Sequence, residues 1–309
     1  MTSIQEHDNY FMERADALGR PGLSIYQKIT AATRILTYDV GADATDEYIK
    51  IGESTVTECV KRFFRAVVEV FDDLYLRSPN ALDIERLLYI GKQRGFLGML
   101  GSLVCMHWKW KNCPTAWVGQ YTGRSESPKI IFEVVADYDM WIYHAYFGFP
   151  DSDNDINVLS KSHLFANLFI GWATIVQTIH NPQGPKNKYF ATRQESCRKD
   201  VERAFGLLQS KWAIITGPAR VWSKHILHDI MTMCIIMHNM IIEDERDEQM
   251  SITNYREAPI PEVEMVHDEH VRFQEFIARH RQIKDKSAHY ALRDALIDHL
   301  WEKYFNSEY

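Results

Sequence analysis

Lysine and arginine never gather into a dense run in this sequence, the cysteines do not pair off into a framework, and no apolar stretch approaches the length of a membrane span. Each absence excludes something. The five cysteines, Cys59, Cys105, Cys113, Cys197 and Cys234, are scattered and odd in number. That excludes a secreted disulfide scaffold and leads to the expectation of a reducing compartment. Without a long apolar run no membrane span is expected, and the polar, acidic start MTSIQEHDNYF does not read as a secretory signal. Without a basic cluster no nuclear localisation signal is legible, so work in the nucleus, alongside the cytoplasm, calls for a partner that brings the protein there. No internal repeat or low-complexity tract occurs.

What is present is an ordinary globular composition. The chain has 309 residues, 46% hydrophobic and 25% charged, enough for one large domain and a smaller one. The net charge of −7 is unevenly placed. Residues 243–309 hold 16 acidic and 9 basic residues, so residues 1–242 are neutral overall. Overall charge therefore does not announce a nucleic-acid binder, and local patches decide phosphate contacts.

Residues 1–80 read as helical. Apolar positions at helical spacing predict a helix over Leu23–Leu36. Asp43 is placed to cap a short helix from Ala44, and Gly52 to break it. Ser54 or Thr55 is placed to cap a second helix to about Phe71, with Val56, Val60, Phe63, Phe64, Val67 and Val68 inward. Two helices joined through a Gly turn suggest a helix-turn-helix. Its second helix would present Thr57, Glu58, Lys61, Arg62 and Arg65, as DNA contacts or, more plainly, as a solvated face. Three runs rich in β-branched and aromatic residues, GFLGMLGSLVCMHW, PKIIFEVVADYDM and WIYHAYFGFP, predict three successive strands over residues 95–149. Helices are expected over 155–179, 193–212 and 225–242. EDERDE is expected as a charged linker, and helix returns after about residue 265.

Several of these segments, in order, resemble plant PIF/Harbinger transposases: GFLGMLGSLVCMHWKWKNCPTAWVGQYTGR, DNDINVLSKSHLF, RKDVERAFGLLQSKWAI and MCIIMHNMIIEDER, with GLSIYQKITAATRILTYDVGADATDEYIKIGEST before them. The resemblance implies an α/β, RNase-H-like core of the DDE type. Three carboxylates would hold two divalent ions, usually Mg²⁺, for DNA cleavage, and a Myb-like DNA-binding protein would be the usual partner. Oligomeric state is not implied.

Residue by residue the carry-over is incomplete. Glu202 in RKDVERAFG matches the third carboxylate; its plainer alternative is an exposed Glu pairing with Arg198 or Arg203 along the helix. Val104 stands where the pattern has the first, and valine has no oxygen to offer a metal. The second is missing with its strand: Phe165 runs through ANLFIG into WATIVQ, and no Asp or Glu occurs between Asp155 and Glu195. The expectation is thus a core lacking one strand, over residues 81–242, between the helical region 1–80 and an acidic linker with C-terminal helices over 243–309.

Asp137 and Asp139 are weaker metal candidates, more simply turn residues. The calcium-loop imitation DSDND (Asp151–Asp155) has Ile156 and Ser162 where Gly and Glu are needed. Cys105, His107 and Cys113 lack a fourth zinc ligand, and His225 with His228 lacks support from any other ligand. Trp108, Trp110, Trp117 and Trp141 are expected in the core. Lys109, Lys111, Arg124 and Lys129 beside them leave an aromatic nucleic-acid platform open. Four readings follow: an inactive transposase derivative with residual DNA or protein binding, a domesticated chromatin interaction protein, an active nuclease with relocated acids, or a decaying mobile-element copy with no selected function.

Overall fold

A computed structural model describes residues 2–43, 49–123, 126–150, 175–247 and 286–307 of a mixed α/β protein. In chain order the elements are α1 (Thr2–His7), a 3-10 turn (Asn9–Phe11), α2 (Ile25–Tyr38), α3 (Glu53–Tyr75), α4 (Ala81–Arg94), β1 (Ser102–Lys109), α5 (Val118–Tyr121), β2 (Lys129–Ala136), β3 (Ile142–Pro150), α6 (Gly184–Lys211), a second 3-10 turn (Ala213–Ile215), α7 (Lys224–Asp247) and α8 (Lys286–Ser307).

The three strands pair in sequence order as an antiparallel meander. Val104 lies opposite Val134, Cys105 opposite Glu133 and Lys109 opposite Lys129. Strand alternation then sorts the residues by face. Ile130, Phe132 and Val134 of β2 join Val104, Met106 and Trp108 of β1 in the main core, beneath Val201, Phe205 and Leu208 of α6 and Leu227, Met231 and Cys234 of α7. Ile131, Phe149, Cys105 and Tyr146 make a small cluster on the other face. The main core also takes in Phe11, Leu36, Phe63, Phe64 and Val67, so the N-terminal helices and the sheet share one apolar cluster. Each such fully buried side chain is worth about 1.5–3 kcal/mol. A second cluster seats Leu296, Ile297 and Leu300 of α8 on Phe96, Phe190 and Cys197. Gly95 ends α4 at φ +90°, and a Cβ there would collide with Leu300. That turn therefore needs glycine twice over.

Several expectations are met and several are corrected. The three strands appear, and α2 starts on a Ser24–Gln27 capping box. α3 starts instead from Gly52, with no side-chain cap from Ser54 or Thr55, and continues to Tyr75. α6 begins at Gly184 with proline in its first turn, nine residues before the expected start. The EDERDE stretch is not a linker through Asp247: α7 carries on across it, because Ile242 is buried and Arg246 faces Asp139 at 3.1 Å. Residues 175–179 have no regular structure, while the rest of the expected 155–179 helix, and the short helix from Ala44, lie outside the described residues. α7 is long and apolar enough to cross a membrane by composition, contrary to the expectation that no such segment exists. Its apolar residues form the core, packed on α3 and β3.

Helix α4 was not foreseen at all. Its signal is nevertheless local. Asn80 accepts from the Asp83 N–H at 2.9 Å, and the Asp83 carboxylate accepts from the Asn80 N–H at 3.0 Å. This is a capping box just after Pro79.

Candidate functional site

Val104 and Glu202 occupy very different settings. Val104 faces the core, half-buried against it and opposite Val134. Glu202 is on the outward side of α6, its side chain 44% exposed, with Arg198 at 3.1 Å. Arg198 also holds Glu195 at 2.9 Å. Two positions along a helix are roughly 200° apart around it. The inward carboxylate of the motif is therefore Asp200, 2% exposed. It is held by Arg94 of α4, with Arg203 at 3.6 Å. Beside them burial pushes the Cys197 thiol up, against the pull of Arg94.

Asp137 and Asp139 stand at the tip of the β2–β3 hairpin. Asp137 is 1% exposed. Its Oδ1 accepts from the N–H groups of Asp139 at 2.8 Å and Trp141 at 3.0 Å, which fixes the turn. Its Oδ2 accepts from Arg86 Nη2 at 3.0 Å. Arg86 also donates to Asp139, to the Tyr138 hydroxyl, both at 2.7 Å, and to the Tyr143 hydroxyl at 3.0 Å. Arg246 completes the group by charge contacts, 3.1 Å to Asp139 and 3.8 Å to Asp137. Its guanidinium lies over the Trp141 ring at 5.4 Å. Burial pushes the Asp137 carboxyl up, and Arg246 and Arg86 work against that. Burial likewise works against the charge on Arg86, but Tyr143 and Asp137 hold it on. Two carboxylates thus meet two guanidinium groups.

The same tip is anchored by the motif MHN of α7. The buried Asn239 accepts from the Ile142 N–H at 3.0 Å and donates to the carbonyls of Ile142 at 2.8 Å and Tyr75 at 2.6 Å. It therefore joins α7, the start of β3 and the end of α3. His238 Nε2 lies 2.9 Å from the Met140 carbonyl, and its Nδ1 is buried without a hydrogen-bond partner. Burial holds the ring pKa below the usual histidine value, which favours the neutral ring donating from Nε2.

The outward face of α3 is closely balanced in charge. Arg62 donates to Glu58 at 2.6 Å and reaches Asp8 at 3.2 Å, while Arg65 pairs with Glu69 at 2.7 Å. Glu69 also meets His7 at 2.7 Å. Thr57 donates its hydroxyl to its own helix at Glu53. Lys61 lines the same shallow groove. Lys61, Arg62 and Arg65, with the His7 ring, stand there among three carboxylates, Asp8, Glu58 and Glu69.

Of the tryptophans, Trp108, Trp110 and Trp141 are buried as expected, whereas Trp117 is 42% exposed. Trp108 and Trp110 donate their indole N–H groups to Gly217 at 2.7 Å and Val221 at 2.9 Å. Sequence reasoning missed Trp222, at 71% the most exposed tryptophan described. It also missed Arg86, Arg94, Asp200 and Arg246. Cys105 and His107 share the small-cluster face of β1, with Cys113 beyond the strand. His225 and His228 are exposed on α7. Among the described residues no three His, Cys, Asp or Glu side chains are grouped to hold a metal. Arg124 and the DSDND segment lie outside the described residues.

A family model described as Plant transposon protein matches residues 73–171 and 168–249, together more than half of the chain. A search of curated proteins and a search of solved structures each returned no match.

Proposed function

The chain belongs to the plant transposon protein family, and on that premise we propose that it is a transposase-derived protein that has lost metal-dependent DNA cleavage and kept a scaffold able to bind DNA or a protein partner. The observation that carries this is the separation of the acids. Glu202 is turned outward to Arg198, the facing strand offers Val104, and Asp137 and Asp139 already meet Arg86 and Arg246.

A divalent cation does not fit these residues. Hard cations need several converging oxygen ligands, and two-metal cleavage needs carboxylates that share the ions. Val104 supplies no oxygen. The hairpin acids would have to give up their arginines first. This favours loss of cleavage over relocation of the site to Asp137 and Asp139.

The finer assignment, a PIF/Harbinger protein with an RNase-H-like DDE core, is part of the same proposal. The ordered motifs support it, as does an antiparallel meander with β1 as an outer strand among the described residues, where a fourth strand would sit. The family match is made in two pieces that meet at 168–171. This supports a missing family segment just after Phe165. A nuclear place of work reached through a Myb-like partner completes the proposal.

The test is nicking of supercoiled plasmid by the full chain with Mg²⁺. No nicking above buffer is expected. Nicking that disappears on Glu202→Gln would overturn the proposal.

A further inference from the structure

We propose that the end of the sheet where β1 meets the loop over residues 217–222 binds a single-stranded polynucleotide. The inference rests on nucleic acid being a ligand of this protein, and it names the surface and the form of strand.

The surface is made by a short parallel ribbon. Ala219 donates its N–H to the Lys109 carbonyl at 2.8 Å, and Lys111 donates to the Ala219 carbonyl at 2.9 Å. Trp110 pairs with Ala219 across this bridge, and both are buried. Alternation along the two segments then turns Lys109 and Lys111 outward on one, and Arg220 and Trp222 outward on the other; all four are exposed. Asn112 donates to the Arg220 carbonyl and fixes the loop further.

The charge here is not balanced as it is on α3. Lys109 lies directly opposite Lys129 in the β1–β2 register. Like charges in that position destabilise a sheet. Neither lysine, nor Lys111, has an ion-pair partner among the described residues. Among the described residues the carboxylate of Asp39 reaches the patch, 3.2 Å from Arg220. Such a concentration of like charge suits a polyanion.

An exposed ring selects the kind of polyanion. Trp222 is 71% exposed, two residues from Arg220 on the same side of the ribbon. An indole face can stack on a base only where the base is unpaired and splayed, so the ring favours a single strand over a duplex. A cavity of about 360 Å³ is lined by Lys109 together with Gln209, Pro218, Met106, Phe132 and Phe205. Its size and mixed lining suit one small planar group.

The experiment is fluorescence anisotropy of the full chain with labelled dT12, its RNA counterpart and a 12-base-pair duplex, over a salt series. The wild type is expected to prefer the single strands. Trp222→Ala, at an exposed position, should weaken dT12 binding about tenfold. The Lys109→Gln/Lys111→Gln double variant should flatten the salt dependence by about 1.4 in log–log slope, roughly 0.7 per phosphate contact. Lys61→Gln/Arg65→Gln on α3 should leave binding unchanged. Circular dichroism confirms that each variant is folded. RNA bound in preference, with the same residue dependence, supports the proposal and identifies the strand as RNA. Unchanged single-strand affinity in both ribbon variants overturns it. Duplex binding that ignores the ribbon variants overturns this surface but leaves DNA binding standing. No binding of any nucleic acid removes both.

Discussion

The tip of the β2–β3 hairpin and the outward side of α6 each present acids that a sequence reader would consider for a metal site, and they are built in opposite ways. At the hairpin, Asp137 is 1% exposed and every partner is supplied by the protein: two backbone N–H groups, Arg86 and Arg246. On α6, Glu202 is 44% exposed and shares Arg198 with Glu195. The first arrangement spends its carboxylates on holding three elements together, α4, the hairpin and α7. The second leaves its carboxylate to solvent, where a pair is worth about 0–1 kcal/mol. Motif resemblance points at Glu202, while burial points at Asp137 and, on α6 itself, at Asp200.

The largest effect that would break this contrast is at the hairpin. Asp137→Ala leaves Arg86 and two turn N–H groups without their acceptor, and should cost about 3–5 kcal/mol. It would be read as a lowered urea midpoint. A variant as stable as wild type would show that the cluster is ornamental.

A smaller effect is expected from pH at the same tip. Burial depresses the His238 pKa, Lys211 adds to that, and the Met140 carbonyl and Glu245 oppose it. Above pH about 6.5 both folded and unfolded chains carry the neutral ring. As pH falls below that value the unfolded chain binds a proton that the folded chain resists, so stability is lost, by up to about 1.4 kcal/mol per pH unit, until the depressed folded value is reached. Thermal unfolding at pH 7 and pH 5.5 should show the loss in wild type and a smaller one in His238→Gln. An equal loss in both would assign the pH dependence to other groups.

The smallest effect is at α6. Glu202→Gln should change stability by no more than about 0.5 kcal/mol. A larger cost in the urea midpoint would mean that this carboxylate is structural too, and the contrast would shrink.

Much of the local structure was legible. The three strands follow from their β-branched and aromatic runs and α2 from apolar positions at helical spacing, and even α4 carries a readable box at Asn80 and Asp83. What local pattern does not hold is the pairing of Arg86 with Asp137, 51 positions away, or of Arg94 with Asp200, 106 positions away. Neither arginine differs in its neighbourhood from any helical arginine. The basic residues of α3 illustrate the reverse case. Lys61, Arg62 and Arg65 read as a basic face, but Asp8 reaches Arg62 from 54 positions earlier, and His7 brings α1 onto Glu69. Trp222 went unremarked because nothing local distinguishes an exposed indole from a core one.

The sequence by itself determined what position 104 cannot do: a valine has no oxygen to offer a metal, and no fold can supply one there. It also determined the strands and most helices, because hydrophobic period and caps act over a few residues. Tertiary structure decided the use of the remaining charges. Burial and long-range pairing make Asp137 and Asp200 structural and balance the face of α3. The ribbon of β1 and the 217–222 loop brings Lys109, Lys111, Arg220 and Trp222 to one side. A charge declares its role only against the partners that folding brings within a few ångströms.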